Sequence, residues 1–221
     1  MLSLWSTPVG EYLFPAAERV NPELGRRVLS LYEATGAFGQ GRAYPEFTHR
    51  FESGSFDEID IRPHLGDELW AFLCAAVCDY LQSVRDGDYA VERRHFGSIW
   101  PNVSLRGEFH RPHRHNPLEH LVVGTYYVAV PGPSGRGAGA LSLMDARASI
   151  GGSAMYRRFY SEGEVCLEPS PGYLVLFPPH VYHYVSPHAS DEARISISFN
   201  VGLDGLGQHA TCDARRFKRK E

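Results

Sequence analysis

Gly172-Tyr-Leu-Val-Leu-Phe-Pro-Pro-His-Val-Tyr-His-Tyr-Val185, followed by Arg194-Ile-Ser-Ile-Ser-Phe-Asn200, is the part of the chain whose reading decides the fold. Residues 173–177 form an apolar run too short for a helix, and Pro178-Pro179 ends it, because proline has no N–H for a sheet ladder. A second short run, 181–186, follows the break. In 194–200 polar and apolar residues alternate, which sends Arg194, Ser196 and Ser198 to one face and Ile195, Ile197 and Phe199 to the other. Two strands joined by a tight turn, then a third strand with a polar inner row, describe part of an all-β core.

Working outward, the same character holds from Asp88 onward. Candidate strands are Val91 to Leu105, Phe109 to His115, His120 to Val130, Ala140 to Asp145, Glu164 to Glu168, Tyr173 to Phe177, Val181 to Ser186 and Ala193 to Val201. Gly- and Pro-rich turns separate them at 131–139, 170–172 and 187–192. Upstream the period changes. Asn21-Pro22-Glu23 predicts a helix start with Asn21 as N-cap and Pro22 at the first helical position, carried by Leu24, Val28, Leu31 and Tyr32 to a stop at Gly36. A second helix is predicted from Leu65 to about Arg85, with Asp67 and Glu68 in its first turn. Residues 39–56 read as loop or irregular strand. The expected architecture is mainly β with flanking helices, a double-stranded β-helix of the jelly-roll, cupin-like kind. One domain over 1–221 is expected: helical and loop support in 1–88, the β-helix core in 89–203 and a tail in 204–221.

Composition sets the outer limits. With 221 residues, 43% hydrophobic and 22% charged, the chain is an ordinary globular one, neither disordered nor coiled coil. A formal charge of −4 gives no positive field for nucleic acid, and the basic residues Arg215, Arg216, Lys218, Arg219 and Lys220 read as a solvated tail. No apolar stretch approaches the roughly 20 residues that span a bilayer, so no membrane is expected and a cytoplasmic location follows by default. The four cysteines make no C-x-x-C pair, and Cys74 and Cys78 read as small apolar groups on a helix.

Chemistry concentrates in the histidines. There are 11, and six fall in two clusters: His110, His113, His115 and His120, then His180 and His183. If 113–115 is extended, His113 and His115 leave the same face and can grip one ion. His183 comes back over the barrel mouth after the Pro-Pro break. A single histidine is usually a surface or hydrogen-bonded group, but two on one strand face with a third on a distant strand read as a metal site. Three ligands leave coordination positions open, which favours catalysis over a closed structural site. Imidazole suits iron, zinc, copper and nickel alike. Downstream, an inward Arg194 is costly unless it meets an anion, and a guanidinium clasps a carboxylate in a bidentate fork that Ser196 can assist.

These pieces resemble the iron- and 2-oxoglutarate-dependent dioxygenases, and within them the 2OG-Fe(II) oxygenase group. The matching residues are Trp5-Ser-Thr-Pro-Val9, Trp100-Pro-Asn102, Gly107, His113-Arg-His115, Gly124-Thr-Tyr-Tyr-Val128, Gly172 through Pro178, His183, and Arg194 through Asn200. The resemblance implies Fe(II), 2-oxoglutarate as cosubstrate and O2. It makes His113 and His183 iron ligands, with Arg194 on the distal carboxylate of 2-oxoglutarate and Ser196 beside it. Asn102, Tyr126 and Tyr127 would complete the cosubstrate pocket, and which tyrosine faces inward is open. The chain departs from the wider superfamily at His115, where Asp or Glu is usual; the smaller group also carries H-x-H. With His115 as third ligand the triad is neutral instead of −1, and metal affinity is expected to depend on pH near neutrality. His110, where the group has Asn, reads as exposed.

The expected reaction is oxidative decarboxylation of 2-oxoglutarate to succinate and CO2, coupled to hydroxylation of a small-molecule substrate. Arg147 to Gly163, with Arg157 and Arg158, reads as a lid over the site. Two other readings stand beside this one: a three-histidine cupin-type dioxygenase that uses no 2-oxoglutarate, and a non-catalytic metal- or ligand-binding barrel. A homodimer is compatible with all three.

Overall fold

The computed structural model describes residues 6–34, 61–85, 87, 89–131, 137–145 and 163–202. The predicted helix stop at Gly36, the loop 39–56, the lid apart from Gly163 and the tail from 204 lie outside them. Among the described residues the helices are α1, Ala17–Ala34, and α2, Asp67–Val84. The strands are β1 Gly10–Leu13, β2 Phe96–Ser104, β3 His110–His113, β4 His120–Ala129, β5 Leu141–Met144, β6 Glu164–Leu167, β7 Tyr173–Phe177, β8 Tyr182–Val185 and β9 Arg194–Gly202. All eight expected strands are present. β1 is an addition, and it pairs with β7 at the edge of the sheet.

Two sheets form, a five-stranded one in the order β1-β7-β4-β9-β2 and a four-stranded one in the order β3-β8-β5-β6, with antiparallel pairing throughout. This is the expected jelly roll. Strand alternation divides the apolar residues between two cores. On the outer face of the larger sheet, Val122, Tyr126, Leu174, Leu176, Ile197 and Phe199 pack with Val28 and Tyr32 of α1 and Leu73 and Val77 of α2. Between the sheets, Val123, Tyr127, Val175 and Phe177 meet Leu141, Leu143, Val181 and Val185. Each fully buried Leu, Ile or Phe contributes about 1.5–3 kcal/mol, so these layers outweigh any single polar contact.

Gly124 lets β4 sit flat under the aromatic layer. A Cβ there would lie 2.2 Å from the Phe199 ring and 2.8 Å from Leu176, so no larger residue fits without moving the core.

Helix α2 matches its prediction to within two residues at its start and one at its end. Helix α1 requires a correction. It begins at Ala17, and Pro22 lies inside it. Asn21 is therefore no N-cap; it is buried, donates Nδ2–H to the carbonyl of Val128 at 3.0 Å and accepts the Tyr126 hydroxyl at 2.6 Å. Proline in a helix interior costs about 3 kcal/mol, but buried Leu24, Val28 and Tyr32 with the Asn21 bonds, each net about 1 kcal/mol, more than offset it. Helix and sheet are thus pinned here, and again where the Tyr32 hydroxyl donates to the Pro101 carbonyl at 2.8 Å. No described helix is long and apolar enough to cross a membrane.

Candidate metal centre

His113 closes β3 and stands directly opposite His183 on β8, with the two ring centroids 4.2 Å apart. His115 was expected on the same strand face, but β3 ends two residues before it. It is held by a different device: its backbone N–H donates to the carbonyl of Pro179, at 2.9 Å, in the Pro-Pro turn between β7 and β8. That bond ties the two histidine segments together. The His115 ring lies 5.5 Å from that of His113 and 5.2 Å from that of His183, and one donor atom from each of the three lies within 4.8 Å of the others. An ion can be held at the shared centre.

The tautomers are set by neighbouring carbonyls. Nδ1 of His113 is 2.8 Å from the Arg111 carbonyl and Nδ1 of His183 is 3.0 Å from that of Val181. A carbonyl only accepts, so Nδ1 carries the proton and Nε2 keeps the lone pair a metal requires. Burial pushes all three rings below the ordinary value of 6.5. His183 falls to about 3, from burial and then from His113 beside it; His115 falls to about 4 for the same two reasons, with Asn200 pulling the other way. His113 is lowered by burial against its bond to Arg111.

The expectation of pH-dependent metal binding near neutrality is corrected by these shifts. Rings that stay neutral until acid pH do not exchange protons for metal between pH 8 and 6. Affinity for a divalent metal is expected to fall far less over that range than the roughly 70-fold that three rings at 6.5 would lose. Isothermal titration at the two pH values separates these outcomes. The sign for stability follows: unfolded histidines take up protons from about 6.5 downward and the folded ones resist, so the fold loses stability as pH falls from that value toward about 3.

Alternation along β9 turns Arg194, Ser196, Ser198 and Asn200 toward the space between the sheets. Ser196 is flanked by Asn102 on β2 and Tyr127 on β4. Asn102 donates Nδ2–H to the Ser198 hydroxyl at 3.0 Å. Tyr126, expected as a pocket residue, is corrected: it is the neighbour of inward Tyr127 and so faces the helices, where it donates to Asn21. His110, expected exposed, is 6% exposed and does not belong to the cluster of three.

Arg194 is 1% exposed. Its guanidinium carbon lies 5.0 Å from the centre of the Tyr127 ring, whose hydroxyl helps to hold its charge against burial, and its Nε and Nη1 have no hydrogen-bond partner among the described residues. No described carboxylate forms an ion pair with it. Gly139, at φ +66°, closes over the arginine stem, where a Cβ would come within 3.2 Å of Arg194 Cδ. Gly139 ends the Gly-rich turn read at 131–139, and its close approach to the arginine was not legible from that pattern. Trp100 and Asn200 entered the sequence reading only through the family resemblance, with no site role; in the structure the Trp100 ring stacks on His115 at 6.3 Å and 19°.

Both absent groups fit what is present. Three imidazole nitrogens at one centre suit a first-row divalent metal, and a buried guanidinium with unused donors suits a dianionic cosubstrate.

Comparison with solved structures agrees on the fold. A Pseudomonas putida prolyl-4-hydroxylase superposes with a TM-score of 0.50 at 16% identity, over 90% of this chain and 89% of that one. AviO1 from Streptomyces viridochromogenes Tue57 gives 0.54 at 14%, again over 90% and 89%. A Trichoplax adhaerens prolyl hydroxylase, in complex with a hypoxia inducible factor peptide fragment, gives 0.51 at 16%, over 88% and 83%. No curated protein matches the chain. The family model described as "Putative 2OG-Fe(II) oxygenase" matches residues 98–200, which run from the inner row of β2 through all three histidines to Asn200. Over that stretch, just under half of the chain, the sequence is similar to a family described by its use of 2-oxoglutarate and Fe(II).

Proposed function

We propose that the chain hydroxylates a small molecule, with His113, His115 and His183 holding Fe(II) and Arg194 taking the distal carboxylate of 2-oxoglutarate. The observation that carries this is the buried, carboxylate-free guanidinium of Arg194 in the same barrel as the histidine cluster. Bound together, the metal and cosubstrate supply oxidising chemistry, in which O2 is consumed and 2-oxoglutarate leaves as succinate and CO2.

The chain's own residues bind, orient and exclude water. Ser196 and the Tyr127 hydroxyl stand where they can donate to the carboxylate that Arg194 clasps, and Asn102 extends the polar row on β2. The apolar residues between the sheets, Val123, Val175 and Phe177 among them, keep water from the space between metal and arginine. A three-histidine dioxygenase without 2-oxoglutarate has no use for such an arginine, and neither has a bare metal-binding barrel.

Anaerobic titration with Fe(II), with and without 2-oxoglutarate, tests the reading. A weak visible charge-transfer band that needs both components is the expected result. O2 consumption with no such band and no need for 2-oxoglutarate would favour the cupin alternative.

A further inference from the structure

The wall of the larger sheet that faces the three histidines is built from four inner-face residues in neighbouring strands. Phe177 on β7 stands opposite Val123 on β4, and Val123 stands opposite Asn200 on β9. Trp100 on β2 faces Ser198, two residues from Asn200 on the same side of β9. The outer members touch the histidines: Phe177 packs edge-on against His183 at 4.8 Å, and Trp100 stacks on His115. Asn200 lies between them. It is 5% exposed, and its carboxamide oxygen is buried with no hydrogen-bond partner among the described residues. Leaving such a group unmatched costs about 1–3 kcal/mol, so an acceptor kept here signals a use.

The Arg111 carbonyl backs the ring of His113 and the Val181 carbonyl that of His183, each from the residue two positions earlier. His115 lies beyond the end of β3 and takes its position from Pro179 instead. We propose that Asn200 is the positioning residue of the third ligand, its side-chain oxygen accepting the ring N–H of His115 that faces away from the shared centre. Asn200 thus does from a side chain what main-chain carbonyls do for the other two rings. The Asn200 carboxamide lies within reach of the His115 ring. A ligand that is off the ladder, and that carries no charge to draw the ion, gains most from an acceptor that fixes its tautomer and plane.

The inference rests on the histidine triad proposed above, and Co(II) binding to the full chain tests both separately. In wild type, Asn200→Leu is expected to raise the Co(II) dissociation constant about 10- to 100-fold, the usual loss for an outer partner of a histidine ligand. It should also shift the visible d–d bands. In a His115→Ala background the same substitution is expected to change affinity less than about twofold, because the ring it serves is gone. Asn200→Asp, which keeps an acceptor in place, should hold affinity at or above wild type, and Asn200→Ala serves if the leucine variant fails to fold. Equal losses in both backgrounds, or an unchanged constant and spectrum in Asn200→Leu while His115→Ala weakens binding, would overturn the assignment; the second result would give the oxygen to the substrate. Co(II) binding indifferent to all three histidines would overturn the triad itself.

Discussion

Arg194→Met is expected to stabilise the protein in the absence of cosubstrate and, in the same molecule, to remove 2-oxoglutarate binding. The two effects have one cause. A guanidinium at 1% exposure, with two nitrogens unbonded and no described carboxylate in reach, bears a desolvation cost that its contact with Tyr127 offsets only in part. Methionine fills much of the same volume without the charge, and replacing buried ionic groups by apolar ones of similar size stabilises by about 1–4 kcal/mol where the fit is good. Truncating one member of a buried charge pair in a complex costs about 2–5 kcal/mol, which at about 1.4 kcal/mol per tenfold is roughly 30- to several-thousand-fold in affinity. Thermal unfolding with and without 2-oxoglutarate reads both: wild type should rise on adding the cosubstrate, and the variant should start higher and not move. A variant that melts lower and still responds would mean that Arg194 has a structural partner and that the anion binds elsewhere.

The sequence made the ladder legible and left the third dimension out. Alternation in 194–200 gave the inner row of β9 because a period of two survives any tertiary context that buries one face. The spacing of Leu69, Leu73, Ala76, Val77 and Tyr80 gave α2 for the equivalent reason. Asn21 was misread because its side chain is satisfied more than a hundred residues away, by Val128 and Tyr126, and the local preference of Asn and Pro for a helix start cannot register that. Tyr126 and Tyr127 could not be separated while the inward face of β4 had no polar marker; the sheet register assigns them. His115 was placed on a strand that stops short of it, yet it joins the cluster because the Pro179 carbonyl supplies the bond that a strand would have given. The acid shift of the histidines was invisible from spacing, since it comes from burial between two sheets.

The three imidazoles proposed as ligands form a neutral set, so metal binding there would depend on geometry, since no anionic ligand draws the ion in. His183→Ala should therefore be the most damaging of the ligand substitutions. His183 is the most buried of the three, its ring is locked between the Val181 carbonyl and Phe177, and it sits opposite His113 in the β3–β8 ladder. Loss of an outer partner alone costs about 10- to 100-fold in metal affinity, so loss of this donor is expected to exceed 100-fold. His115→Ala should cost less, because the position lies beyond the strand end and leaves the opposed pair His113 and His183 intact. Co(II) or Fe(II) titration of the two variants under identical conditions gives the ranking directly. The reverse order, with His115→Ala the more damaging, would place the primary grip on the loop and the ladder pair in a secondary role.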